Sequence, residues 1–286
     1  MSKIIVAFQG EPGAYSELAA FEHFGPGIST LPCESFDHAY EALNQGECTH
    51  ALLPFENSLA GSIHRNYDLI LRHDLHIVGE HHLRVSHCLL GLPGTKIEQV
   101  ERAHSHPQAL AQCEHNLDRL GIARVAEKDT AGSARLVKEW NELQEAAIAS
   151  TRAAEVYDLV ILQENLEDNP HNYTRFLALT KEPLVVSDPE EGDYKTSVVF
   201  SLKNMPGVLF KALSVFALRD IDLTKIESRP IQGQPWEYMF YVDFAGHQAA
   251  QNCARALDHL GELAVFVRVL GSYPRHRQNG TPVSDR

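Results

Sequence analysis

The chain has 286 residues, 44% of them hydrophobic and 22% charged, with a formal net charge of −13 and a sequence pI near 5.6. That length suits two domains with a sizeable core, and the acidic balance excludes nucleic acid or an anionic membrane as the main partner. An anionic small molecule would need donors arranged locally, because the field of the whole chain repels it.

The opening MSKIIVAFQG holds an apolar run too short for a secretory h-region or a membrane span. No later run approaches about eighteen apolar residues. Cys33, Cys48, Cys88, Cys113 and Cys253 are odd in number and scattered, with no Cys-x-x-Cys. They are read as reduced thiols of a cytoplasmic protein. Among sixteen histidines the closest pairs are His81-His82 and His104-x-His106. Neither has a helical i, i+4 spacing or a Cys or carboxylate set nearby, so no metal site is expected.

Lys3 to Phe8 (KIIVAF) is a continuous apolar run, suited to a strand buried on both faces. Gln9 to Ser16 follows as a turn with two glycines and a proline, and a helix runs from Glu17 to Phe24. The turn matches neither Gly-x-Gly-x-x-Gly nor a Walker loop. Ser35 starts a second helix, with Phe36, Ala39, Tyr40 and Leu43 on one face. Ala51-Leu52-Leu53 reads as a strand that Pro54 stops. Glu56, Asn57 and Ser58 then precede a helix from about Ile63. They either line a site outside a strand end or only cap that helix.

Strands are expected at Leu75–Val78 and Leu83–Leu90, after which the chain enters a second lobe. Ser105 is placed to cap a helix with Pro107 in its first turn. Gln108 and Gln112 share a face of that helix, as a solvated stripe or as a donor pair in a cleft. A strand at Ala123–Ala126 leads to Asp129-Thr130 and another helix, and a strand at Ala146–Ala149 leads to Ser150 and Thr151. The design of strand, polar cap and helix N-terminus thus recurs. Several such termini in one cleft would form a receptor for a small acid with more than one carboxylate. A binding protein would satisfy that pattern as well as an enzyme.

Asn165 to Asn172 is polar and turn-rich, and Tyr173-Thr174-Arg175-Phe176 enters an apolar strand. Thr174 beside Arg175 is either a substrate contact or an ordinary strand pair. Lys181 to Asp193 is an acidic, proline-containing linker. From Thr196 the pattern is strand, helix (Pro206 to Arg219), two strands (Leu223–Ile231 and Trp236–Phe244), helix (Gln248–Leu260) and strand (Val265–Leu270). That is a ferredoxin-like βαββαβ module of about eighty residues. Arg275 to Arg286 lacks periodicity and is expected to be disordered.

The stretches GEPGAYSELAA, LLPFENSLAGSI, SHPQALAQC, DTAGSA, NYTRF and IESRP, in this order, resemble prephenate dehydratase over nearly the whole chain. The resemblance implies an α/β fold: a two-lobed catalytic domain like periplasmic binding proteins (1–180), a linker (181–194), a regulatory ACT domain (195–274) and a tail (275–286). It implies conversion of prephenate to phenylpyruvate, water and carbon dioxide in L-phenylalanine synthesis, with no cofactor. Thr174 matches the family's essential threonine, and Glu56, Asn57, Ser105 and Gln112 join it as expected catalytic residues. Ser58, Arg175, Phe176, Ser16 and Thr130 are expected to bind substrate, and Phe55 with Phe176 to form a dry wall.

In the second module, Gly207, Val208 and Leu209 with Glu227, Ser228, Arg229 and Pro230 would bind L-phenylalanine between two ACT domains of a homodimer or homotetramer. Gly207-Val208-Leu209-Phe210 departs from the Gly-Ala-Leu-Val of some members, which bears on ligand preference. Without the resemblance, Glu227 and Arg229 read as a surface ion pair and Pro230 as a strand end. Arogenate dehydration and an idle amino-acid sensor are the alternative functions.

Overall fold

The computed structural model describes residues 3–231, 233 and 236–276. The chain forms two compact units. One is the chain up to His73 with His81–Leu177; the other is Asp74–Glu80 with the chain from Ala178 onward.

The first unit opens with β1 (Ile5–Gln9), α1 (Tyr15–Phe24), β2 (Ser29–Cys33), α2 (Phe36–Gln45), β3 (His50–Asn57), β4 (Gly61–Ser62), α3 (His64–Arg72) and β5 (His76–Arg84), of which the part from His81 falls in this unit. Next come β6 (Cys88–Gly91), a 3-10 turn at Ile97–Gln99, β7 (Arg102–Ser105), α4 (Pro107–Gln112), α5 (Glu114–Leu120) and β8 (Ala123–Ala126). The unit closes with α6 (Thr130–Trp140), β9 (Glu145–Ala149), α7 (Thr151–Val156), β10 (Val160–Gln163) and β11 (Tyr173–Thr180). Two sheets result, a six-stranded one ordered β2-β1-β3-β11-β5 with β4 on β3, and a five-stranded one ordered β10-β6-β9-β7-β8. Each is the core of one lobe. β1 pairs in parallel with β2 and β3, and β7 in parallel with β8 and β9. Both sheets therefore have a switch point, where connections leave neighbouring strands in opposite directions and open a crevice at the strand ends.

Side-chain caps start several of the helices. Ser35 accepts from His38 N–H at 3.1 Å at the start of α2, Asp129 from Gly132 N–H at 2.6 Å at α6, and Ser150 from Ala153 N–H at 3.1 Å at α7. The lobes meet where Gly13 has a φ of +88° and a Cβ would come within 2.8 Å of Ala153 Cα. Ser150 Oγ donates to Gly13 O across that contact at 2.6 Å. Only glycine fits both the left-handed backbone and the close approach.

Three expected boundaries differ. β3 continues through Pro54 to Asn57. Its pairing with β1 covers only His50 and Ala51, so the proline lies beyond that ladder and removes no bond from it. The two strands expected between Leu75 and Leu90 divide instead into β5 and β6, because the apolar run is broken at Val85–His87. Ser105 ends β7, and His106 caps α4 by accepting from Gln108 N–H at 3.2 Å. Two edge strands, β2 and β10, had no alternating pattern to announce them.

The second unit carries β12 (Tyr194–Ser201), α8 (Val208–Ala217), β13 (Leu223–Pro230), β14 (Tyr238–Ala245), α9 (Gln251–Leu263) and β15 (Phe266–Pro274). Its sheet order, β13-β14-β12-β15, with antiparallel pairs throughout, is the ferredoxin-like arrangement expected. Val198, Phe200, Val215, Phe216, Val242, Phe244, Ala256 and Leu260 form its core. Within this unit Lys195 Nζ lies 2.8 Å from Glu80 Oε1, both side chains being buried. Of the expected tail, Arg275 N–H donates to Asp193 O at 2.8 Å, and 277–286 lie outside the described residues. Among the described residues no helix is long and apolar enough to cross a membrane.

Candidate active site

The crevice between the lobes of the first unit holds a cavity of about 340 Å³. The end of β1 supplies Gln9 and the start of α1 Tyr15 and Ser16; β3 supplies Pro54 and Asn57; β11 and the residue before it supply Asn172, Thr174 and Phe176. From the other lobe come His106, Gln108, Ala109 and Gln112 of the α4 region and Asp129 and Thr130 at the start of α6. Ala60, Ile63, Val85 and Phe176 make one wall apolar. Helices α1 and α6 both begin at the cavity, and their first-turn N–H groups favour an anion there.

A continuous hydrogen-bonded chain of side chains runs through this site. Tyr15 Oη is 2.7 Å from His87 Nδ1. His87 Nε2 is 2.8 Å from Gln112 Oε1, which also accepts from Asn172 Nδ2 at 3.1 Å. Asn172 Oδ1 accepts from Asn57 Nδ2 at 2.8 Å, and the same nitrogen lies 3.0 Å from Thr174 Oγ1. The polarity is set at each step. A carbonyl oxygen at Gln112 requires His87 to donate from Nε2, so Nδ1 is the acceptor for Tyr15. Burial holds His87 below its ordinary pKa of 6.5, against the opposing pull of Gln112 and Glu167; the ring is neutral, as the chain demands. Burial also pushes the Tyr15 phenol well above 10.0, helped by Cys88, Cys113 and Glu167.

Two consequences follow for the cavity. Gln112 spends its oxygen on His87 and Asn172, so its NH2 group is left as a donor. Thr174 Oγ1 accepts from Asn57, so its own proton is available to a ligand. Asn57 is itself tethered, since its Oδ1 accepts from Leu59 N–H at 3.0 Å and Ala60 N–H at 2.9 Å. This Asx turn is what the polar triplet before α3 does; α3 has no side-chain cap at all.

Of the residues singled out from sequence, Asn57, Gln112, Thr174, Phe176, Ser16 and Thr130 line the cavity, and Gln108 with them. Four do not. Ser105 is fully buried and donates to Ile148 O at 2.7 Å, joining β7 to β9. Ser58 is exposed and bridges to the β11 entry, donating to His171 O at 2.9 Å and accepting from Tyr173 N–H at 2.9 Å. Glu56 pairs with Ser62 of β4, one residue out of phase with Asn57, so the pleat turns it away. The same alternation on β11 puts Arg175 on the face opposite Thr174 and Phe176. Phe55 packs edge-to-face on Tyr67, centroids 5.2 Å apart, in the core rather than the cavity. Tyr15, His87 and Asn172 were not singled out. His87 falls inside the stretch Leu83–Leu90 expected as a strand, and a histidine among its apolar residues was the signal available.

In the second unit, Gly207 caps α8 with a φ of +75°, and no side chain caps its first turn. A Cβ there would meet nothing within 4 Å, so the backbone is open to a ligand. Val208 and Leu209 pack half-buried on the core. Glu227, Ser228, Arg229 and Pro230 lie on the edge strand β13, facing alternate sides. Lys225 Nζ is 3.8 Å from Glu227 Oε2, so Glu227 has its cation on its own strand. The strand ends at Pro230.

Comparison with known proteins agrees with these features. Residues 6–184 match the prephenate dehydratase family model, and residues 196–258 match the ACT domain. Arogenate dehydratase/prephenate dehydratase 1, chloroplastic, of Arabidopsis thaliana is 51% identical over 96% of this chain and 72% of its own length. A prephenate dehydratase from Arthrobacter aurescens, solved with L-Phe, has a TM-score of 0.85 and 31% identity over 95% of this chain and 90% of that one. A structure described as GqqA, a novel type of quorum quenching acylase, has a TM-score of 0.89 and 41% identity over 95% of this chain and 98% of that one.

Proposed function

The chain belongs to the prephenate dehydratase family and carries an ACT domain, and from that premise we propose that it converts prephenate to phenylpyruvate. The reaction is a lyase step. The bond from the ring to its carboxylate breaks, and the electron pair enters the ring. The opposite carbon–oxygen bond then breaks, and hydroxide leaves with a proton as water. One proton is consumed and carbon dioxide is released, with aromaticity as the driving force.

The observation that carries this reading is the Thr174 hydroxyl, fixed as an acceptor from Asn57 with its proton uncommitted. A threonine is too weak an acid to ionise first. It donates to the leaving oxygen as the bond breaks, and Asn57 stabilises the charge that develops on Oγ1. Gln112 offers its NH2 group, and Ser16 and Thr130 their hydroxyls at two helix starts, to the carboxylates and ring hydroxyl. Phe176, Val85 and Ile63 keep water from the carboxylate that departs. The test is ultraviolet detection of phenylpyruvate in alkali after incubation with prephenate, and no product would end the proposal.

An amide-hydrolysing activity like that in the name of the GqqA structure would need a base on a hydroxyl nucleophile. The partner of Thr174 Oγ1 is instead a donor amide, so Thr174 is not set up as such a nucleophile. The bound phenylalanine of the Arthrobacter relative favours feedback by L-phenylalanine, for which the open N-terminus of α8 is the candidate site. Exposed Phe210, Leu218 and Ile226 favour assembly through the ACT domains as a homodimer or homotetramer. Calorimetry with millimolar phenylalanine tests the effector: no binding heat and no inhibition would make the module an assembly device only. Five buried free cysteines favour a reducing, cytoplasm-like compartment.

A further inference from the structure

His87 carries the hydrogen-bonded chain of the cavity but lies in no strand. β5 ends at Arg84 and β6 begins at Cys88, so Val85, Ser86 and His87 have no strand ladder of their own. One segment, 165–172, holds them instead. Val85 N–H donates to Asn172 O at 2.8 Å, and His87 O accepts from Leu166 N–H at 2.8 Å. Ser86 Oγ donates to Asn165 Oδ1 at 3.2 Å. The same segment grips the end of α4, where Asp168 N–H donates to Gln112 O at 2.7 Å. His87 and Gln112 are thus fixed through their main chains to the backbone that carries Asn172. The inward anchor of this segment is Glu167, whose side chain is 1% exposed. Its Oε2 accepts from His87 N–H at 2.8 Å and its Oε1 from Arg84 Nη2 at 2.7 Å. Arg84 is exposed and also donates from Nε to Pro170 O at 3.2 Å. A neutral acceptor would satisfy the His87 N–H as well, whereas a buried carboxylate costs desolvation that a solvated guanidinium offsets only in part. Packing alone does not account for a carboxylate here.

We propose that Glu167 is a positioning residue of the dehydratase, setting His87, Gln112 and Asn172 in register with one another from behind the cavity. The proposal rests on the dehydratase reading above. Glu167 does not line the cavity, so it acts through His87. Its bond to the His87 main chain fixes where the ring meets Gln112 Oε1, and so which way the Gln112 NH2 group faces. Its charge acts on the ring as well. The titratable groups around it are Tyr15 from α1, His87, Cys88 from β6 and Cys113 between α4 and α5. Burial pushes the Tyr15 phenol and both thiols up, so these stay neutral. Glu164 also acts on Cys88 and Asp168 on Cys113, and Asp129 and His106 line the same cavity. The charge that pulls on His87 is that of Glu167. It opposes the burial that holds the ring neutral, and so sets the pH at which Nδ1 gains a proton and stops accepting from Tyr15.

Steady-state kinetics with prephenate across pH, on full-length Glu167→Ala and Glu167→Gln, test this. Glu167→Ala removes acceptor and charge together, and kcat should fall about 10–100-fold while KM moves by less than about threefold. Glu167→Gln keeps an acceptor for His87 N–H and should recover most of kcat. Without the charge, burial lowers His87 further, so the acid limb of kcat/KM in Glu167→Gln should move to lower pH by a few tenths of a pH unit or more. Folded Glu167→Ala with kcat within about threefold of wild type overturns the proposal. An acid limb that stays in place in Glu167→Gln also overturns it and leaves Glu167 as a stabilising partner of Arg84. Should Glu167→Ala not fold, the acid limb of Glu167→Gln decides alone. Either failure with wild-type turnover intact leaves the dehydratase reading standing. Wild-type protein that yields no phenylpyruvate removes that reading and this proposal with it.

Discussion

Replacing His87 tests whether the buried chain of side chains, rather than the cavity surface alone, sets the chemistry. His87→Leu removes the donor to Gln112 Oε1 at 2.8 Å and the acceptor for Tyr15 Oη at 2.7 Å. Neither partner is orphaned. Tyr15 can turn to Ser86 O at 3.1 Å, and Gln112 Oε1 keeps Asn172 at 3.1 Å. The stability cost is therefore that of two net hydrogen bonds partly recovered, about 1–2 kcal/mol. Activity should suffer more, because Gln112 loses the contact that fixes which end of its amide meets the substrate. A loss of about 1.4–2.8 kcal/mol corresponds to roughly 10–100-fold in kcat/KM. His87→Gln restores a donor and should recover most of it. The pH dependence gives an independent readout. Burial lowers the folded pKa of His87 below its ordinary 6.5. Between the two values the unfolded chain binds more protons than the folded one, so stability falls as pH drops below about 6.5 toward the folded value. Wild-type melting temperature should decline in that window and kcat/KM only as pH reaches and passes the folded value, and His87→Gln should lack both contributions. Folded His87→Leu protein with wild-type kcat/KM, or identical acid limbs in wild type and His87→Gln, would refute the reasoning.

Thr174→Ala should lower kcat by about 10²–10³-fold with the fold intact, while Thr174→Ser keeps much of the rate; an alanine variant near wild-type turnover removes Thr174 as the donor. Ser105→Ala should cost about 1 kcal/mol of stability through its lost bond to Ile148, with specific activity of the folded protein retained, whereas Asn57→Ala should cost about 1–3 kcal/mol in kcat/KM; melting and kinetics on the same samples separate the two effects. Lys195→Met leaves the Glu80 carboxylate buried without its ammonium and should destabilise by about 3–5 kcal/mol in urea unfolding; a shift under about 1 kcal/mol would show that water or another cation reaches Glu80.

The fold was legible wherever periodicity was strong. Val6, Ala7 and Phe8 of the KIIVAF run are buried on both faces although Ile4 is exposed, and the Ser35 cap with its apolar stripe and the βαββαβ alternation from Thr196 bury most of the faces their patterns mark. It was less legible where neighbours decide. β2 and β10 are edge strands with mixed burial, stabilised by pairing to β1 and β6 rather than by an alternation of their own. Pro54 looked like a stop because a proline costs a ladder bond; only the register reveals that β1 had already ended there.

The site turned on parity. Thr174, Arg175 and Phe176 are adjacent, and sequence gives each a plausible role. Once β11 is a strand, the pleat sends Thr174 and Phe176 to the cavity and Arg175 to the other face. The same rule separates Asn57 from Glu56. It has a chemical consequence. A guanidinium in the cavity would bind the ring carboxylate in its ionised form, and that charge disappears as carbon dioxide leaves. Tight pairing to it would stabilise the ground state more than the transition state and slow the step. Neutral donors and an apolar wall hold the substrate with less of that penalty. The charge that grows sits on the leaving oxygen, where Thr174 stands with Asn57 behind it. A family motif names the threonine, but the absence of a lining lysine or arginine emerges only when the strands fix which side chains face inward.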